Sequence, residues 1–328
     1  MTASALKTIQ TRRSFSYSYY FAAPIDSKPV LFLAHGFPGN HRAWRYQIEF
    51  FESRGYGLVV PDMLGYGDSS KPTDPVAYIG SGLAGDMLDI LDKEGIQQVI
   101  LIAHDWGSRA ASRFMNFHPE RVSAAAFLCV GYQPPYAKGA DWISMSPTLA
   151  QLAGYDIIGY MRWFAGEEAA RVIDGERRYE SLINMCHPEK PELWMESFCA
   201  TDGARNWILE NKRTGLPAYM SQEDFEYKVQ LLRKGGIAAP FCWYKVLVTP
   251  ESAQDDERVL NVKATQPILF IGFNKDVVAR PEFARAVHQD TEKLVGKVTD
   301  REVAADHWGM ESHPQEVNNF ILEWMNEL

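Results

Sequence analysis

The sequence predicts an α/β fold: a mostly parallel central sheet flanked by helices, with an inserted helical domain. Three features predict it. Short continuous apolar runs alternate with amphipathic helical stretches up to Tyr132; the alternation gives way to helical, Trp- and Tyr-rich sequence over residues 133–254; and it resumes over residues 255–328. Continuous apolar runs suit strands buried on both faces, and strand–helix alternation suits parallel pairing.

Taken in order, residues 7–11 and 15–21 alternate in polarity and read as an antiparallel hairpin. Residues 29–35 (PVLFLAH) form the first buried strand, and 57–60, 98–104 and 122–130 repeat that type. Between them, 42–54, 81–92 and 108–118 read as helices. After the insertion come a strand at 267–272 (PILFIG), a helix over 281–294 and a short strand at 298–303. A last helix carries Val317, Phe320, Ile321, Trp324, Met325 and Leu328 on one face. The chain thus divides into a first core part (1–132), a helical cap (133–254) and a second core part (255–328). A cap belongs over the C-terminal edge of the strands, where open parallel sheets bind their ligands.

Composition excludes several classes. With 328 residues, 46% of them apolar, the chain has ample core, yet no apolar run approaches the ~18 residues of a membrane helix. A net charge of −9 with scattered basic residues argues against a nucleic-acid partner. Cys129, Cys186, Cys199 and Cys242 lack metal-ligand or disulfide spacing and read as small buried hydrophobes in a reducing compartment. The N-terminal stretch shows no apolar run with a cleavage site, and there is no N-x-[ST] sequon. A cytoplasmic protein without cofactor or metal is expected. A homodimer is compatible with the sequence.

The sharpest motif is Ala103-His104-Asp105-Trp106-Gly107, where a buried strand gives way to a helix. It has the form small-x-nucleophile-x-small, because a tight strand–helix turn leaves no room for side chains beside the nucleophile. A carboxylate in that place, with the usual aspartate pKa of ~3.9, is already anionic at neutral pH, and a helix start favours its charge. The plainer alternative is an Asp that only caps the helix. Upstream, His35-Gly36-Phe37-Pro38-Gly39 follows the first central strand, so the Phe37 and Trp106 N–H groups can form an oxyanion hole. Downstream, Asp276 ends one buried strand and His307 follows the last. The order Asp105, Asp276, His307 is nucleophile, acid, base, as in α/β-hydrolases. Asp306 is the rival acid, but sequence neighbours seldom reach each other productively. His104 and His35 read as structural; His41, His118, His187, His288 and His313 read as surface or helix-end residues.

With these motifs in place the sequence resembles the epoxide hydrolases of the α/β-hydrolase family along nearly its whole length. The likeness rests on HGFPG at 35–39, DMLGYGDSSKP at 62–72, HDWGS at 104–108, Asp276 and His307. It is most similar to the soluble type without the N-terminal phosphatase domain of some animal relatives. Leu64 stands where many relatives carry a basic residue. The resemblance implies two cap tyrosines over the nucleophile: Tyr160, in Tyr160-Met161-Arg162-Trp163-Phe164, and Tyr244, in the pair Trp243-Tyr244. A phenol with a pKa of ~10 stays protonated and can serve the leaving epoxide oxygen. Tyr155 competes for the first place. The implied reaction converts a small apolar epoxide and water to a vicinal diol through an ester on Asp105, hydrolysed by water that His307 and Asp276 activate. Phe37, Trp106, Tyr160, Trp163, Trp243 and Tyr244 are the expected substrate-binding residues.

Two other readings compete. A haloalkane dehalogenase shares the Asp nucleophile, and the Trp106 indole would suit a halide; its second donor would have to come from Trp142, Trp163, Trp194 or Trp207, since Phe37 offers only backbone. A binding protein on a hydrolase scaffold would be expected to have lost the acid or the base, and both remain. A serine esterase does not fit, because Ser108 falls inside the helix.

Overall fold

The computed structural model describes residues 6–136, 142–290 and 293–328, apart from the side chains of 142–144. Eight strands form one sheet: β1 (Leu6–Gln10), β2 (Ser16–Ala22), β3 (Val30–Ala34), β4 (Gly57–Pro61), β5 (Val99–His104), β6 (Val122–Leu128), β7 (Ile268–Phe273) and β8 (Val298–Val303), in the order β1-β2-β4-β3-β5-β6-β7-β8. The β1–β2 hairpin pairs antiparallel, and β2 joins β4 antiparallel; all other pairs are parallel.

Sequence explains which strands sit where. Every residue of β3, β4, β5 and β7 is buried, as their unbroken apolar runs require. β8 reads VTDREV and β1 LKTIQ, and these polar strands occupy the edges, where charge discourages pairing with another chain. Side chains of β5 alternate between two cores. Leu101 and Ala103 face the core closed by α2 (Gly80–Lys93) and α3 (Trp106–Phe117); Ile100 and Ile102 face that closed by α1 (Arg45–Glu52) and the C-terminal helix.

Between β6 and β7 lie α4 (Trp142–Ala153), α5 (Gly159–Phe164), α6 (Glu167–Glu176), α7 (Tyr179–Cys186), α8 (Gly203–Leu209), α9 (Gln222–Gly235), α10 (Ala238–Lys245) and α11 (Pro250–Glu257). Residues 137–141 of that expected helical segment lie outside the described residues. After β7, α12 (Pro281–His288) is shorter than the helix expected over 281–294, its amphipathic period ending where Gln289 caps it. Residues 291 and 292 lie outside the described ones. The chain closes with α13 (Gly309–Ser312) and α14 (Pro314–Met325), which buries Val317, Ile321 and Trp324.

Five histidines expected at the surface or at helix ends all sit at helix ends, but three are buried. His41 pairs with Asp62 (Nδ1 to Oδ1, 2.6 Å), His187 stacks on Trp308, and His288 Nε2 accepts from the Tyr132 N–H. Each burial comes with a partner that sequence order does not show. All four cysteines are buried free thiols.

Candidate active site

β5 ends at His104 and α3 begins at Trp106, so Asp105 makes the turn alone, with φ 53° and ψ −124°. Such a backbone costs roughly 1–3 kcal/mol and persists only where neighbours enforce it. Gly36 and Gly107 supply the space. A Cβ on Gly36 would overlap the Asp105 carboxylate, and one on Gly107 would collide with the Ala34 carbonyl.

The Asp105 side chain does not cap α3. Its Oδ1 accepts from the Phe37 N–H at 2.8 Å, and the neighbouring Trp106 N–H also favours its charge. His35 fixes the loop that presents Phe37: its Nδ1 meets the Gly36 carbonyl at 2.9 Å, while Nε2 accepts from the Met63 N–H. Burial holds this imidazole neutral, with its pKa down at about 4. The helix start was expected to favour the charge on Asp105, yet the net shift of its pKa is upward. Burial outweighs the His307 charge and the Phe37 and Trp106 N–H groups. A poorly solvated carboxylate of raised basicity is a better nucleophile than a free one.

Asp276 and His307 meet where the loops after β7 and β8 come together. His307 Nδ1 is 2.6 Å from Asp276 Oδ2, and Nε2 is 3.7 Å from Asp105 Oδ2, too long for a direct hydrogen bond. Asp276 Oδ1 accepts from the Val278 and Ala279 N–H groups at 2.8 and 2.9 Å. Burial alone would raise the Asp276 carboxyl; His307 and those two N–H groups overcome it, and its pKa falls below the usual range. Burial likewise opposes the imidazolium, but Asp276, then Asp105 and Asp306, raise the His307 pKa. Asp306, the rival acid, accepts instead from the Trp308 N–H.

From the other side, α5 and α10 bring Tyr160 and Tyr244 together, ring centroids 5.9 Å apart. Phe164 and Phe198 wedge Tyr160 in place, and Tyr244 stands edge-on to Trp106 at 4.9 Å. Both phenols have pKa values pushed well up: Tyr160 by burial and Asp105, Tyr244 by burial, Tyr160 and Asp105. They stay protonated and can donate. Tyr155, the competitor, spends its hydroxyl on the Val277 carbonyl.

A chamber of about 190 Å³ is lined by Asp105, Trp106, Tyr160 and His307. Of the residues expected to touch substrate, Trp106 and Tyr160 line it, and Phe37, Trp163, Trp243 and Tyr244 do not. The Trp163 indole donates to Glu168, and the Trp243 indole donates to the Leu64 carbonyl. An indole N–H needs a fixed acceptor when buried, and both found theirs away from the chamber. Only the backbone of Leu64 is engaged there, so the departure at that position leaves this contact intact. Phe37 packs its ring on Phe164, Phe241 and Tyr244.

Two neighbours carry no clear signal in the sequence. The Cys129 thiol lies 3.3 Å from Asp276 Oδ2 and 3.2 Å from His307 Nδ1. Burial and Asp276 push its pKa well up, so it remains a donor to that carboxylate. Its only sequence mark is its place at the end of a buried strand. The second is Arg109, a charge one turn into a buried helix. Among the described residues, His104, Cys129 and His307 lie close enough to hold a metal, their donor atoms within 4.8 Å. His104 Nε2 is engaged by the His307 carbonyl, His307 Nδ1 by Asp276, and the thiol keeps its proton, while His104 Nδ1 has no hydrogen-bond partner.

The strand order and a carboxylate at the strand–helix elbow define an α/β hydrolase, and the family model described as alpha/beta hydrolase fold matches residues 29–170. "Epoxide hydrolase 2" of Siraitia grosvenorii is 32% identical over 229 residues, covering 68% of this chain and 67% of that protein. "Bifunctional epoxide hydrolase 2" of Rattus norvegicus is 29% identical over 315 residues, 92% of this chain but 52% of the relative, so this chain spans about half that protein's length. Among solved structures, Epoxide Hydrolase A from Mycobacterium thermoresistibile superposes with a TM-score of 0.79 over 98% of both chains, at 25% identity. The chain belongs to the epoxide hydrolases of the α/β-hydrolase family.

Proposed function

We propose that this protein opens epoxides with water to give vicinal diols, with Asp105 as nucleophile. The observation that carries the reading is the elbow carboxylate of Asp105 sharing one chamber with the His307 imidazole and with a cap phenol, Tyr160, that burial keeps protonated. Asp105 attacks one oxirane carbon; the C–O bond breaks, and Tyr160 and Tyr244 hydrogen-bond and protonate the departing oxygen. The product is an alkyl ester on Asp105. His307, held by Asp276 through Nδ1, takes a proton from water through Nε2. The hydroxide attacks the ester carbonyl, and the Phe37 N–H, which bonds the resting carboxylate, holds the oxyanion together with the Trp106 N–H. The ester C–O bond cleaves, the released alkoxide takes the proton of the regenerated Asp105 carboxyl, and the His307 imidazolium gives its proton back to the tyrosinate as the diol leaves. Helices α4–α11 act as the cap that supplies the phenols.

A dehalogenase needs two side-chain donors around a halide. The Trp106 indole stands edge-on to Tyr244, and the indoles of Trp163, Trp194 and Trp207 donate to Glu168, the Met185 carbonyl and the Ser181 carbonyl. The side chain of Trp142 lies outside the described residues. Phenols fit an alkoxide better than these committed indoles fit a halide. Among the described residues no helix is long and apolar enough to cross a membrane, and four buried free thiols suit the cytosol as the proposed location.

The test is product analysis over short, aryl and long-chain epoxides beside a chloroalkane. Diol from at least one epoxide, without halide release, is expected. Halide release without diol would overturn the reading.

A further inference from the structure

The proposed reaction leaves one buried group beside its acid–base pair without a task. Cys129 follows directly on β6 and is only 1% exposed. Its backbone has φ 67°, in the left-handed region that glycine enters most cheaply, so this position keeps a side chain against a backbone preference. The Cys129 N–H is tied to the Ile271 carbonyl of β7 at 2.9 Å, which sets its side chain beside the loop that carries Asp276.

The two oxygens of Asp276 are held by four donors. Oδ1 accepts from the Val278 and Ala279 N–H groups of its own loop. Oδ2 accepts from His307 Nδ1 at 2.6 Å and from the Cys129 thiol at 3.3 Å. The sulfur is also 3.2 Å from Nδ1, so the three atoms form a closed triangle. The rings of His104, Trp194 and Trp308 pack around the imidazole, with centroids 4.8, 5.1 and 5.1 Å from it. Burial and Asp276 keep the thiol protonated, so it donates and does not rival Asp105 as a nucleophile. Without the sulfur, Oδ2 would keep a single donor, and a gap would open at the edge of both partners. Neighbours relax into such a gap only in part, and a displacement of about 1 Å in a catalytic group can cost roughly 100-fold.

We propose that Cys129 is a positioning residue for ester hydrolysis: its thiol holds Asp276 Oδ2, and through it the His307 ring, in the orientation that activates water. Ester formation draws on Asp105 and the phenols and does not depend on this contact. The division between the two steps rests on the epoxide reading of the site; the hold on the acid–base pair does not.

Rapid-quench single turnovers of an epoxide, read by intact-protein mass, separate the two steps. Cys129→Ala should leave the rate of ester formation unchanged and slow ester decay by roughly 3- to 10-fold, the range of one neutral hydrogen bond. Cys129→Ser, which keeps a donor, should recover most of that loss. Decay as fast in Cys129→Ala as in the wild type, both steps slowed alike, or equal loss in the Ser and Ala variants overturns the inference. The downfield proton NMR signal of His307 Nδ1–H, identified by its loss in His307→Gln, reads the contact without turnover. It should move in Cys129→Ala and return towards its wild-type position in Cys129→Ser; an unmoved signal counts against the hold. Wild-type protein that forms neither ester nor diol removes the epoxide reading, and the NMR signal then decides the positioning role on its own.

Discussion

Two buried charge clusters share helix α3, and they are unbalanced in opposite senses. At its N-terminus two carboxylates, Asp105 and Asp276, face one imidazole, His307. One and two turns along, two guanidiniums, Arg109 and Arg113, face one carboxylate, Asp256. In the first cluster the excess is divided by geometry: Asp276 is locked to Nδ1 and two N–H groups, so the other carboxylate is free to react. In the second, Arg113 bonds both oxygens of the shared carboxylate, while Arg109 rests 3.6 Å from it, 3.4 Å from Ser252 Oγ and over the Tyr136 ring. A neutral cluster would be the more stable arrangement. At the elbow the imbalance leaves Asp105 as the carboxylate that the proposed reaction uses.

The largest effects belong to the first cluster. Asp105→Ala should abolish turnover, because it removes the carboxylate that forms the ester. His307→Gln should slow steady turnover by roughly 10²- to 10⁴-fold, the usual contribution of a general base, and leave the ester on the protein as a mass increase. Fast turnover by either variant would break the assignment. Next come the phenols. Tyr160→Phe and Tyr244→Phe should each lower kcat by about 10- to 100-fold, since each removes one hydrogen bond to a charged oxygen. The double variant should lose more than either single one.

The second cluster should answer in stability. Asp256→Asn leaves two buried guanidiniums uncompensated and is expected to cost about 3–5 kcal/mol in denaturant unfolding. Arg109→Met leaves a one-to-one pair and should cost clearly less. Equal costs would mean that the two arginines share Asp256 evenly, contrary to the distances.

The smallest effect is a pH shift. Asp276 and Asp105 both raise the His307 pKa in the free protein. The base must be neutral to take a proton from water, so activity falls as pH drops through its pKa. Once Asp105 is esterified its charge is gone, and that pKa should fall. The acid limb of kcat, where ester hydrolysis limits, should therefore lie below the His307 titration seen by NMR in the free protein. A limb at the same pH or higher would show that Asp105 contributes nothing to the imidazolium.

Much of this was legible in the sequence because the signals are local. Unbroken apolar runs mark β3, β4, β5 and β7, and the small residues flanking Asp105 announce the turn that the Gly36 and Gly107 contacts then require. What stayed hidden depends on partners far along the chain. Trp163 and Trp243 looked like pocket residues because they are aromatic and neighbour the tyrosines, but Glu168 and the Leu64 carbonyl decide where their indoles point. Nothing local to Arg113 shows that it is buried; that depends on Asp256, 143 positions away. Cys129 gave no sign of Asp276, since 147 positions separate them.

The central matter is whether the nucleophile is the elbow carboxylate or water itself. It is tested by a single turnover with protein in excess over an epoxide in heavy-oxygen water, followed by mass analysis of the peptide containing Asp105 and of the diol. The expected result is label in the Asp105 carboxylate and an unlabelled diol. Label in the diol with none on Asp105 would contradict the ester route.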